Sequence, residues 1–251
     1  MERRGQCIAV VSGKGGTGKT SFTAGVGAAL ARSGKQVLCL DCDIGLRNLD
    51  LALGLTDRAL MDFSDVAQSR CSLAAAVVEH PDLSGLFLLT APVRSRKLAV
   101  TEEQMAQLLQ EVREQFDYCL LDAPAGLGMG FLLATTAADR CVVVTTSDAS
   151  SLRDAQHTVM ELERFGTGKL HLVVNRVRKK LLHSMHATID DAIDKAGLPL
   201  LGVVPEDDAL TLSLNRGVPL LLSGSQSAAA SAYRNIAKRI RGEKAPLLRI
   251  K

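Results

Sequence analysis

A chain of 251 residues with 47% hydrophobic content can build one α/β domain around a sizeable core, and its formal charge of +3 sets only a mild basic bias. No apolar run approaches the roughly 18 residues of a membrane-spanning helix, and Met1 to Gln6 lead directly into a short strand rather than a signal-peptide core, so the expected location is the cytoplasm. Six cysteines, at 7, 39, 42, 71, 119 and 141, mostly lie in or beside apolar runs and read as small buried hydrophobes rather than a disulfide framework.

Strands are expected at 7–12, 37–41, 86–90, 118–122, 140–145, 169–174 and 200–204, with helix-compatible segments between most of them. Near-continuous apolar strands alternating with helices predict an α/β fold: a single doubly wound, mostly parallel sheet with helices on both faces. No repeat, low-complexity tract or linker interrupts residues 1–251, so one domain is expected, ending in a basic helix and short tail over 230–251.

The first strand runs into Gly13-Lys14-Gly15-Gly16-Thr17-Gly18-Lys19-Thr20, which fits the phosphate-loop pattern G-x-x-x-x-G-K-[ST], and a helix-compatible segment follows from Ser21. Glycines let successive backbone N–H groups curl around a phosphate, the helix N-terminus adds partial positive charge, Lys19 supplies a full one, and the Thr20 hydroxyl suits Mg²⁺. After the second strand comes Asp41-Cys42-Asp43. Ligands of open α/β sheets sit beyond the carboxyl ends of the strands, so these acids and Asp122, which ends Tyr118-Cys119-Leu120-Leu121, lie where Mg²⁺ needs carboxylates. Cys39 and Cys42 match C-x-x-C, but strand alternation sends them to opposite faces and no second pair or nearby histidine completes a metal site. Thr101 to Gln104 form a capping-box pattern ahead of Met105, Leu108, Leu109 and Val112 at helical spacing. The histidines, at 80, 157, 171, 183 and 186, are scattered and read as surface residues.

Basic residues gather in two places: Arg176, Arg178, Lys179 and Lys180 after a strand end, and seven Lys/Arg over 231–251 against Glu243 alone. Such runs are usually solvated faces that can also meet nucleic acid or anionic lipid. Tyr233, Ile236, Ala237 and Ile240 form one apolar stripe, which suits a helix docked on the domain as well as one at a membrane.

Lys14 to Thr20 resembles the deviant Walker A motif of the ParA/MinD family of P-loop ATPases, whose extra lysine precedes the Gly-Gly pair. Asp41 to Asp50 is similar to switch I of the MinD-like members, Asp122 to Gly126 to their switch II, Ser150 to Asp154 to the interface helix that follows, and Val204 to Asp207 to a late nucleotide-site loop. The resemblance implies ATP and Mg²⁺ as cofactors. Gly13 to Ser21 would cradle the phosphates, Thr20, Asp41 and Asp122 would serve Mg²⁺ or its waters, and Asp43 would position or deprotonate the attacking water. It implies an ATP-dependent homodimer in which Lys14 reaches the partner's phosphates. Asn175 would read adenine, flanked by the backbone of Pro205, Glu206 and Asp207; a lone strand-end asparagine is otherwise often a cap.

The implied function is a slow, partner-stimulated ATPase that positions division in a bacterial cell, with an activator or cargo from the division or flagellar machinery. Three readings compete with it: a flagellar-placement regulator, a ParA-type partition ATPase that binds DNA non-specifically through the basic clusters, and an iron–sulfur carrier of the same superfamily, whose cysteines fall in the later half, where this chain has none after Cys141. The family's amphipathic C-terminal extension would begin where Arg249-Ile250-Lys251 lie, so weak peripheral contact with an anionic membrane is the most expected of this tail.

Overall fold

A computed structural model describes residues 5–93, 100–184, 188–223 and 226–248. In chain order they form β1 (Gln6–Val11), α1 (Lys19–Ala31), β2 (Val37–Asp41), α2 (Leu49–Leu53), α3 (Phe63–Ala67), α4 (Leu73–Ala76), β3 (Val78–Glu79), β4 (Leu86–Leu89), α5 (Glu102–Gln115) and β5 (Tyr118–Asp122). There follow α6 (Met129–Thr135), β6 (Arg140–Thr145), α7 (Ala149–Glu161), β7 (Leu170–Val177), α8 (Lys179–Ser184), α9 (Ile189–Ala196), β8 (Leu200–Pro205), α10 (Asp208–Asn215) and α11 (Ala228–Ile240).

The strands make one sheet in the order β3-β4-β2-β5-β1-β6-β7-β8, parallel except for the β3–β4 pair. Both faces are covered, which is why the strands read as unbroken apolar runs. Alternate residues of β1 divide between two core layers: Cys7, Ala9 and Val11 pack with α5, α6 and α7, whereas Ile8 and Val10 pack with α1 and α11. Cys39 and Cys42 likewise enter different layers. The capping box at α5 forms, with Gln104 N–H donating to the Thr101 hydroxyl at 3.2 Å and the Gln104 side chain accepting from Thr101 N–H at 3.0 Å.

Strand β3 escapes sequence reading because two residues at a sheet edge carry no periodicity. His80 also departs from expectation. It is buried, its Nδ1 accepts the Asp82 N–H at 3.1 Å, and burial lowers its pKa, so it belongs to the packing under β4 rather than to the surface. His186, Arg249, Ile250 and Lys251 lie outside the described residues.

The stripe on α11 has one partner, the domain itself. Tyr233, Ile236, Ala237 and Ile240 are buried against α1 and the sheet, and the Tyr233 ring meets Phe22 edge-on at 6.3 Å. Gly25 makes the approach possible, since a Cβ there would lie 2.4 Å from the ring. A face spent on the core is not available to lipid. No helix among the described residues is long and apolar enough to cross a membrane.

Candidate functional site

The loop between β1 and α1 lies at the carboxyl edge of the sheet, where β1 is flanked by β5 and β6. Gly16 and Gly18 take φ of 78° and 88°, which side-chain-bearing residues adopt at a cost. Gly13 is needed for a different reason: a Cβ there would stand 2.5 Å from the Asp154 carbonyl oxygen. Gly18 caps α1 without any side chain on the first helical N–H groups, leaving them to an anion. The Thr17 hydroxyl is buried with no partner, a donor that a phosphate oxygen would satisfy.

Lys19 turns inward. Its ammonium is buried and donates to the Ser12 hydroxyl at 2.7 Å; burial lowers its pKa, opposed by the charges of Asp122 and Asp43. Thr20 donates its hydroxyl to Asp122, and Thr23 adds a second bond at 3.3 Å. Asp41 and Asp122 are register partners on β2 and β5. One oxygen of Asp41 accepts the Asp43 N–H at 2.8 Å and the other the Leu49 N–H at 3.2 Å, so this carboxylate pins both ends of the 43–49 loop. The oxygens of Asp41 and Asp122 keep free lone pairs, and together with Thr20 they form a hard, anionic donor set of the kind Mg²⁺ takes.

Two buried carboxylates side by side resist ionisation. Burial, then the Asp122 charge, pushes Asp41 up to about 7, and burial pushes Asp122 up to about 6 against the bonds from Thr20 and Thr23 and the charge of Lys19. A carboxyl whose folded pKa is raised adds stability below its unfolded value near 4 and loses it as pH climbs through the folded value. Nucleotide-free protein should therefore melt at a lower temperature at pH 7.5 than at pH 5.5. Asp122→Asn should flatten that slope in differential scanning calorimetry; a melting temperature that rises over this window in the native sequence would contradict the pairing.

Asp43 is half-buried, and burial raises its carboxyl pKa against the attraction of Lys19. Lys14, by contrast, stands at the exposed rim, donating to the Ser150 hydroxyl at 2.8 Å with the Asp148 carboxylate 3.7 Å away. Asp148 also caps α7 through Ser151 N–H.

Asn175 is buried beside the loop. Its Nδ2 donates to the Thr17 carbonyl at 2.7 Å and its Oδ1 accepts the Arg176 N–H at 2.9 Å, while a Cβ on Gly18 would touch Nδ2. The pairing of β7 with β8 is irregular here, and Arg176 takes a φ of 53°. Asn175, Gly18, Ser21, Pro205 and Leu210 line a pocket of about 240 Å³ next to the phosphate loop. The acids of the late loop are committed elsewhere. Glu206 pairs with Arg176 at 3.1 Å and with Arg178, and Asp207 accepts N–H groups of Ala209 and Ala229, both at 3.0 Å, tying α10 to α11. What this loop offers a base is therefore its backbone.

The ParA family model, described as a NUBPL iron-transfer P-loop NTPase, matches residues 4–241. The chain belongs to the ParA family of P-loop ATPases. Within the ParA family it is similar to the septum site-determining protein MinD of Bacillus subtilis, 41% identical over 246 residues that cover 97% of this chain and 91% of that one. MinD of Synechocystis is 40% identical over 242 residues, covering 96% and 91%. Among solved structures, the MinC:MinD cell division protein complex of Aquifex aeolicus matches with a TM-score of 0.89 at 35% identity, covering 97% of this chain and 98% of that chain. MinD of Pyrococcus horikoshii complexed with Mg-ADP matches at 0.82 and 28%, covering 94% and 95%. The protein is thus a ParA-family ATPase of the MinD type, which serves division-site placement.

Four residues around the loop were not expected there from the sequence: Ser12, Thr23, Asp148 and Arg176, the last read only as part of a basic cluster. Ser12 precedes the loop motif by one residue. Arg176 donates to the Gly16 carbonyl at 3.1 Å across 160 positions of chain, a contact with no local signal.

Proposed function

We propose that the protein is an ATP-operated switch: two copies close around ATP, hydrolysis separates them, and a protein partner of the division machinery stimulates the step. The position of Lys14 carries this reading. Lys19 serves its own phosphate loop from inside, whereas Lys14 stands exposed on the rim beside Ser150 and Asp148, where a second copy would meet it. Its tether to Asp148 is half exposed, and such pairs are worth about 1 kcal/mol or less, so a partner's phosphates could take it over.

Within each copy, backbone N–H groups of Gly13 to Ser21 and the Lys19 ammonium would hold the phosphates, and Thr20 with Asp41 and Asp122 would hold Mg²⁺, whose charge offsets that developing on the phosphoryl oxygens. Asn175 and the backbone from Pro205 to Asp207 would seat the base. Asp43, its pKa raised by partial burial, is suited to accept a proton from water as the water oxygen bonds to the γ-phosphorus and the bond to the β-phosphate oxygen breaks. The expected location is the cytoplasm, with peripheral contact at an anionic membrane.

If only the closed pair hydrolyses ATP, activity per chain must depend on how many pairs exist. Specific ATPase activity should rise with protein concentration and then level off, and Lys14→Ala should remain near the low limit throughout. Activity per chain that is constant from well below to well above the dimer range would overturn the pairing requirement.

A further inference from the structure

The opposite edge of the sheet holds a cationic cavity that the ATPase reading does not use. It occupies about 400 Å³ between the C-terminal ends of α1 and α11 and the segment before Ser223, with Arg32, Arg234, Lys238 and Arg241 around Ala29 and Leu221. Along α11, Arg234, Lys238 and Arg241 follow i, i+4, i+7 and so share a face. Among the described residues none of Arg32, Arg234 and Lys238 is paired with a carboxylate: Arg32 donates to the Leu221 carbonyl and Arg234 to the Ser231 hydroxyl. Glu243 offsets Arg241 alone, at 2.9 Å. The Arg241 Nε is buried with no acceptor.

Lysines and arginines do gather at helix C-termini to offset the dipole. That accounts for Lys238 and Arg241, but not for Arg234, one turn earlier, nor for Arg32 arriving from the other helix. Four cations converging on one concavity, one with an orphan buried donor, is the arrangement that binds a phosphate ester. We propose that this cavity is a second phosphate site, which takes the phosphate of an anionic phospholipid headgroup or of a soluble phosphate ester.

The site is separate from the nucleotide. Helix α1 has 13 residues, so its two ends, one at the phosphate loop and one here, stand roughly 20 Å apart. The chain folds back along α11, held by Asn235 donating to the Pro246 carbonyl at 3.1 Å and Arg239 to the Ala245 carbonyl at 3.0 Å, and Leu247 is exposed. The lipid source deepens the peripheral-contact reading and rests on it. The soluble source does not.

The test uses the full chain with its phosphate loop filled by saturating Mg-ADP. One arm titrates pyrophosphate by calorimetry; the other floats the protein with vesicles of phosphatidylglycerol and phosphatidylcholine, against phosphatidylcholine alone. Arg234→Glu with Lys238→Glu should lower affinity about tenfold or more in whichever arm binds, as expected from the contribution of each basic residue near an anionic surface. Lys169→Glu with Lys195→Glu, an equal charge change at exposed sites elsewhere, should change it less than about twofold. The milder Lys238→Gln should show a partial loss with ADP binding intact. Binding in the pyrophosphate arm alone assigns a soluble ester and defeats the lipid source without touching the site. Silence in both arms, or equal loss in the two charge-reversed pairs, would overturn the proposal.

Discussion

Asp43→Ala should keep Mg-ATP and lose turnover by about 10²-fold or more, whereas Lys19→Ala should lose tight nucleotide binding altogether. The two residues lie close enough for their charges to couple, yet their surroundings differ. Lys19 is buried, with a hydroxyl as its hydrogen-bond partner, so a phosphate would gain a desolvated cation that nothing else in the loop replaces. Asp43 sits on the carboxyl side of Asp41, half open, and makes no bond on which the phosphate cradle depends. In the proposed role, its loss would remove a group that acts in the transition state more than in the bound ground state. Titration with a labelled nucleotide and single-turnover hydrolysis, run on both variants, separates these effects. Equal loss of binding in the two would remove Asp43 from the role of acid/base.

The same residues show where sequence reading stops. The glycine loop, Asp41 and Asp122 were legible because each belongs to a short local pattern: an apolar strand that ends at the carboxyl edge, where ligands of such sheets sit. What decides the geometry around them is non-local. Asn175 reaches the Thr17 carbonyl across 158 positions and Lys14 reaches Ser150 across 136, and neither contact leaves a trace in spacing or composition. Asp148 belongs to no motif: it caps α7, and its second task, holding Lys14, appears once α7 is placed beside the loop. The stripe on α11 was ambiguous for a related reason. An amphipathic helix suits a sheet or a lipid surface equally, and the deciding residue, Gly25, lies on a different helix some 200 positions away.

Dimerisation should follow the γ-phosphate, with Lys14 as the group that senses it. With no triphosphate across the interface, Lys14 keeps its weak bond to Ser150 and Asp148. On the proposed closure, a second copy that presents ATP would let the ammonium exchange an exposed carboxylate for phosphate oxygens shielded from water, where the same charge pair counts for more. ADP lacks the group that completes this exchange. The most direct measurement is the light-scattering mass of Asp43→Ala protein, which holds ATP without consuming it. The mass should be that of a dimer with Mg-ATP and of a monomer with Mg-ADP, and adding Lys14→Ala should shift the ATP form back toward monomer; a mass that ignores which nucleotide is bound would contradict the account.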